Sequence, residues 1–387
     1  MFDLVFVSLE DWDDIWRRNQ FLCSGLAKRF PENKILFIGR PRLAHHAVRS
    51  GGLGELHKSA TWAVPGHTNI RVARSLKLVP NSLPGGRQFN DTMARSYIQR
   101  VMKEVGIREH LLWLNPHDAV HMAGRMGEQA VIYDITDDWA LASGSPQEKQ
   151  LIQEQDHLLC KKADLVVVCS QALEQSRKSL AKRILLLPNG VNVEHYQSVS
   201  QAQKAGAWPS PVFGYTGTLH SDRVDVNLIA AIAAAFPQGS VVLVGPGKLQ
   251  NEDLQLLSKY NNVHFTGAVP YAQIPKFMAE FDVCVVPHVE SQFTESLNPI
   301  KLWEYLASGK PIVSSNVAGF REYSDLCHIA SGAEEFVLAC QAALQEDASR
   351  AEKRMAEAAK HSWDTRIDCL LSVVEEVVGQ GRQKAAT

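Results

Sequence analysis

Short apolar runs bounded by turn residues recur in the first half of the chain at 2–8, 35–39, 111–115, 130–133, 165–169 and 184–187. Segments with helical spacing of apolar positions alternate with them at 15–30, 91–105, 146–163 and 171–181. Short runs read as buried strands, and helices between them read as crossovers of a parallel sheet. The pattern restarts after Pro188-Asn189-Gly190, with strand-like runs at 212–216, 241–244, 263–266, 283–286 and 312–314. Helical stretches at 224–236, 253–260, 274–281 and 299–307 separate these runs. Two α/β domains are predicted, 1–190 plus 361–387 and 191–360, with a hinge near 189–200. Residues 334–379 are almost wholly helical in pattern. Ile367, Leu370, Leu371, Val374 and Val377 follow Trp363 there, as expected of a helix that closes the second domain and crosses back to the first. Residues 381–387 are expected to fray.

Composition adds exclusions. The 387 residues are 45% apolar and 21% charged, which sets aside disordered, collagenous and small disulfide-rich classes. Forty basic against 42 acidic residues give a formal charge of -2, so no overall field demands nucleic acid. The seven cysteines are scattered and never spaced C-x-x-C, as expected in a reducing cytoplasm. Neither a secretory signal nor an apolar stretch of about 18 residues is present, so the expectation is a cytoplasmic protein without a membrane span. The charge is uneven. Twelve basic and four acidic residues lie between Arg40 and His110, a local excess of +8. This excess reads either as a solvated face or as a surface for phosphate-bearing partners, an anionic membrane surface or a lipid-linked molecule.

The first strand does not run into G-x-G-x-x-G, and there is no G-x-x-x-x-G-K-[ST], so dinucleotide-binding dehydrogenases and P-loop nucleotidases are excluded. The most informative segment is 295–311. Asn298 suits an N-cap, Pro299 the first helical position and Gly309 the left-handed position after the last turn. Lys301 then falls in the first turn, where the helix dipole disfavours a cation unless an anion is bound there too. Glu304 shares its face one turn later. The pair reads either as an exposed ion pair or as a diphosphate-binding lysine with a carboxylate placed for sugar hydroxyls.

The run Asn298-Pro299-Ile300-Lys301-Leu302-Trp303-Glu304-Tyr305-Leu306-Ala307-Ser308-Gly309-Lys310-Pro311 resembles the donor-binding pattern N-P-x-K-x-x-E-Y-L-A-x-G-K-P of bacterial GT-B glycosyltransferases. It is most similar to the branch of glycosyltransferase family 4 that includes teichuronic acid biosynthesis enzymes. The resemblance extends in order to Tyr133-Asp134-Ile135-Thr136-Asp137-Asp138-Trp139, Leu187-Pro188-Asn189-Gly190-Val191, Gly214-Tyr215-Thr216-Gly217-Thr218-Leu219 and Phe265-Thr266-Gly267. It implies an α/β GT-B fold, two Rossmann-like domains facing each other across a cleft. The second domain would hold a nucleotide sugar and the first a glycan or lipid-linked acceptor.

On that resemblance Lys301 matches the diphosphate-binding lysine and Glu304 the second acid of the E-x7-E motif, which binds ribose. The first acid falls on Ser296, with Glu295 displaced by one, so Glu295 or Asn298 is expected to substitute. Gly217 and Thr218 correspond to the backbone that approaches the diphosphate, with Arg223 a nearby cation or a solvated loop residue. Asp137 and Asp138 end a strand-like run, where α/β sheets bind ligands, and either act on the reacting hydroxyl or cap the next helix. His117 falls where relatives place a sugar-contacting histidine, or is an ordinary surface histidine. No cofactor and no metal are expected, since Asp137-Asp138 lacks D-x-D spacing. The alternatives are a sugar-nucleotide epimerase of the same fold and a non-catalytic sugar-nucleotide or glycan-binding protein.

Overall fold

The computed structural model describes residues 2–43 and 61–385. The chain divides into two compact units, 1–136 with 144–187 and 367–387, and 137–143 with 188–366. The expected division has 137–143 in the first domain and boundaries at 190 and 360. Segment 137–143 joins the second unit because Trp139 and Ala142 pack with Phe293 and Leu297 there.

In the first unit, β1 (Asp3–Val7), β2 (Ile35–Leu43), β3 (Trp62–Val64), β4 (His67–Lys77), β5 (His110–Leu114), β6 (Ala130–Ile135), β7 (Leu165–Val168) and β8 (Ile184–Leu186) form one sheet. Its order is β3-β4-β2-β1-β5-β6-β7-β8. All pairings are parallel except β3 with β4, so the expectation of a parallel sheet fails at one edge. The sequence reading missed these two strands. Ile70, Val72 and Ala73 of β4 are buried between basic and polar neighbours, an alternation that the charge of the stretch obscures. The helix predicted from residue 91 begins earlier and spans Gly86–Val105, behind a left-handed Gly85. The helix predicted from residue 15 spans Arg18–Arg29.

The second unit holds β9 (Val212–Thr216), β10 (Leu219–His220), β11 (Ser240–Val244), β12 (Gly247–Lys248), β13 (Val263–Gly267), β14 (Val283–Val286), β15 (Ile312–Ser315) and β16 (His328–Ala330). Six of these make a parallel sheet of order β13-β11-β9-β14-β15-β16, and β10 pairs with β12. The stretch expected as a hinge contains a helix, Val193–Gln201, because Asn192 caps it through the His195 amide. The helical C-terminal region resolves into Gly332–Leu344, Ser349–Ala359 and Trp363–Ala385. Ile367, Leu370, Val374 and Val377 of the last helix are buried. Gly25 makes room for it, since a Cβ there would stand 1.8 Å from Ile367 Cδ1. The helix continues to Ala385, past the point where fraying was expected.

Candidate functional site

The site is built at the C-terminal ends of parallel strands in the second unit, where open α/β sheets bind ligands. β9 ends at Thr216 and is followed by Gly217 with φ 137°, a conformation that strains any residue carrying a Cβ. Beside it Gly245, after β11, has φ 145°, and a Cβ there would stand 2.1 Å from the Gly217 carbonyl oxygen. The Gly217 amide donates to the Val244 carbonyl and the Gly245 amide to the Gly267 carbonyl at the end of β13, so three strand ends meet through glycine backbone. Sequence reasoning named Gly217 but not Gly245, for which the turn-forming Gly245-Pro246-Gly247 was the available signal.

Facing this backbone is the helix Ile300–Ser308, ended by left-handed Gly309. Asn298 is not its N-cap, as had been expected. Pro299 occupies that position without a side-chain cap, and Asn298 instead accepts from the Asn189 amide at 2.8 Å. The Asn189 side chain donates back to the Asn298 carbonyl, so the Pro188-Asn189-Gly190 and Asn298-Pro299 motifs hold each other. Tyr305, fully buried, accepts from the Thr216 amide at 2.8 Å and fixes the last residue of β9 against this helix.

Lys301, in the first turn, places its ammonium 4.9 Å from the centre of the Tyr215 ring, and a Cβ at Gly217 would lie 3.2 Å from its Nζ. Glycine at 217 therefore lets the lysine approach the strand end. Glu304 is half-buried and accepts a 2.7 Å hydrogen bond from the Tyr196 hydroxyl. The two make separate contacts, Lys301 with the Tyr215 ring and Glu304 with the Tyr196 hydroxyl. Burial pushes the Glu304 carboxyl above its ordinary range, offset in part by the Tyr196 hydrogen bond and the Lys301 charge.

Arg223 lies in the turn after β10 and is half-buried. It stacks 5.2 Å over Phe293 and 6.0 Å over Trp139, and its guanidinium lies 3.3 Å from Asp137. Asp138 is buried, and its carbonyl accepts from the Leu141 amide in a turn. Neither aspartate caps the following helix, Pro146–Lys162, because Ser145 does so in a capping box with Glu148. Thr218 receives the Tyr215 hydroxyl on its carbonyl at 3.4 Å. Ser296 is buried and bonds the Phe293 carbonyl at 2.7 Å, while Glu295 pairs with Arg321 at 2.6 Å. His117 begins the short helix His117–His121 of the first unit and is half-buried, which lowers its pKa.

Nothing in the sequence pattern singles out His288, which follows β14. It is 3% exposed, and neither ring nitrogen has a hydrogen-bond partner among the described residues. Burial first, then the charges of Lys301 and Arg223, hold its pKa well below the ordinary value. No group of three or more His, Cys, Asp or Glu residues able to hold a metal comes together among the described residues.

Residues 210–346 match the family described as Glycosyl transferases group 1. TuaH of Bacillus subtilis (strain 168), named as a teichuronic acid biosynthesis glycosyltransferase, is 28% identical over 201 residues, 48% of this chain and 50% of the relative. The chain therefore matches about half the length of that relative. Among solved structures, sucrose-phosphate synthase from Thermosynechococcus elongatus superposes with a TM-score of 0.73 at 16% identity, covering 98% of this chain and 100% of the other. Anabaena HepE in complex with UDP-glucose gives 0.66 at 19% identity, over 97% and 100%. A UDP-forming trehalose-phosphate synthase from Burkholderia vietnamiensis gives 0.69 at 13% identity, over 98% and 100%. The fold is GT-B.

Proposed function

We propose that this GT-B glycosyltransferase homologue moves a sugar from a UDP-linked donor to a lipid-linked or polysaccharide acceptor in cell-surface glycan synthesis, with retention of anomeric configuration. The observation that carries the reading is Lys301 in the first turn of a helix, set against the backbone of Gly217. Helix N-termini expose unpaired amides and favour anions, and the added lysine suits a diphosphate more than a neutral ligand. As the glycosidic bond to the donor phosphate breaks, charge grows on the departing diphosphate. Lys301, Arg223 and the first-turn amides stabilise it with donors already in place. Glu304, oriented by Tyr196, accepts from ribose hydroxyls. Asp137 or Asp138 orients the acceptor hydroxyl or takes its proton. No metal is required in this reading, and the protein works from the cytoplasm at the membrane face.

Titration with UDP and with uridine tests the assignment. Lys301→Ala should weaken UDP by about 1.5 to 3 kcal/mol, the range for hydrogen bonds to charged groups, and leave uridine nearly unchanged. Glu304→Gln should weaken both, because both carry the ribose. Unaltered UDP affinity in both variants would show that the site lies elsewhere.

A further inference from the structure

The first unit carries an apolar surface that its own core does not use. Leu78 is 44% exposed, Leu83 52%, Phe89 47% and Met93 40%. With Trp62 they are half of the large exposed hydrophobic residues of the described chain, and all lie within the most basic stretch of the sequence. One local element presents them. The buried Asn90 side chain accepts from the amides of Leu78 and Val79, donates to the Val79 carbonyl and bonds Asn81, which ties the loop after β4 to the first turns of helix Gly86–Val105. Phe89 and Met93 are four residues apart on that helix and share a face. Leu83 stands at its entrance, where the Gly86 amide bonds the Leu83 carbonyl.

Cations surround these residues. In the β2–β4 pairing Arg42 lies opposite Leu76 and Leu43 opposite Lys77, one residue before Leu78. Arg40 and Arg42 are exposed, and Arg87 lies between Leu83 and Phe89 in sequence. The acids nearby are engaged, Asp118 with Lys77 at 3.8 Å and Asp91 with His121 at 3.6 Å. Arg49, Glu55 and Lys58, part of the same charge excess, lie outside the described residues. Apolar side chains with arginines as neighbours in register and in sequence complement a bilayer whose headgroups are anionic and whose interior is hydrocarbon.

We propose that Leu78, Leu83, Phe89 and Met93 insert into an anionic bilayer, with Arg40 and Arg87 held at its phosphates. This rests on the reading of a lipid-linked acceptor and adds the surface that delivers the enzyme to it. Cosedimentation of the full chain with vesicles of phosphatidylcholine and phosphatidylglycerol, against phosphatidylcholine alone, tests it. The wild type should bind the anionic vesicles and release as salt rises. Leu83→Ser with Phe89→Ser and Met93→Ser should cut binding at least ~10-fold at constant salt, since the transfer of apolar area is lost. Arg40→Gln with Arg87→Gln should cost about fivefold per charge and flatten the salt dependence. Thermal melting confirms that the variants fold.

Equal vesicle binding by wild type and triple variant overturns the proposal. So does a wild type that binds no vesicles but self-associates in sedimentation velocity through the same three residues, because the occupant is then a second copy. UDP titration separates the two readings. A wild type that binds UDP but no vesicles sinks only the membrane surface, whereas a wild type that binds vesicles but no UDP sinks the donor assignment.

Discussion

Each unit hides an arginine paired with a carboxylate, and the two use it differently. In the first unit Arg18, 3% exposed, grips Asp134 near the end of β6 at 3.0 Å and also donates to the Leu187 carbonyl. Asn115, beside it, links the Asp134 carbonyl to Asn19, which also bonds Ser8. The strand ends where an α/β sheet offers a ligand site are therefore occupied by the protein's own polar network. The second unit places its pair elsewhere. Arg354, fully buried, holds Glu346 at 2.6 Å and donates to the carbonyls of Leu326 and Gly309. Gly309 ends the helix whose other end carries Lys301, so the buried pair pins one end while the opposite end stays available. A buried charge pair thus says little about function until its position relative to the strand ends is known.

The sharpest test of that contrast is Glu346→Ala. Removing one partner leaves a buried guanidinium unpaired, which typically costs about 3 to 5 kcal/mol, and calorimetry should show the loss. Burial would raise the Glu346 pKa, but hydrogen bonds from His328 and Arg354 and the charges of Arg354 and Arg350 outweigh it and hold the group down at about 2. Its folded pKa is depressed, so its stabilisation is complete above the unfolded value of about 4.3 and disappears as pH falls toward 2. The variant should lose the acid sensitivity in that window; an unchanged melting curve between pH 5 and 2 would contradict the assignment.

The next largest effect is expected at the aspartates. Asn at whichever of Asp137 and Asp138 serves the acceptor should lower turnover of the UDP-sugar about 100-fold or more while UDP affinity holds. If both Asn variants turn over normally, 137–143 is only a strap on the second unit. Gly217→Ala comes third. A side chain at φ 137° is strained by ~1 to 3 kcal/mol and crowds Lys301, so UDP should bind several-fold to 100-fold more weakly. Normal affinity would mean that the strand end is not the diphosphate seat. The smallest change is Tyr196→Phe, which removes one hydrogen bond from Glu304 and should weaken uridine by about 1 kcal/mol. Identical titrations of this variant and wild type would detach Tyr196 from the site.

What the chain discloses before folding depends on local pattern in both units. In the second unit β9, β11, β14 and β15 are buried along their whole length and mostly apolar, and the pattern locates them. β4 escaped because its buried Ile70 and Val72 are flanked by Arg71 and Arg74, so one face reads as a basic coil. Lys301 and Glu304 could be singled out because their spacing is local to one helix. His288 and Tyr196 could not. Their positions depend on strand order and on backbone approach between segments distant in sequence, such as Tyr196 meeting Glu304. Asn298 shows the reverse error, a local capping preference overridden by the tertiary bond to Asn189.

The seat of the C-terminal helix also has a practical meaning. Ile367, Leu370, Val374 and Val377 give the last helix an apolar face that the first unit buries, and Gly25 opposite Ile367 makes that seat specific to one register. A segment attached by a single covalent link and held mainly by side-chain packing can in principle be supplied separately. The gene could be cut near the start of this helix and the two pieces co-expressed, with reassembly restoring the protein. Such a split would turn the helix into a genetic reporter for the folding of the first unit, and Gly25→Leu would be the change that silences it.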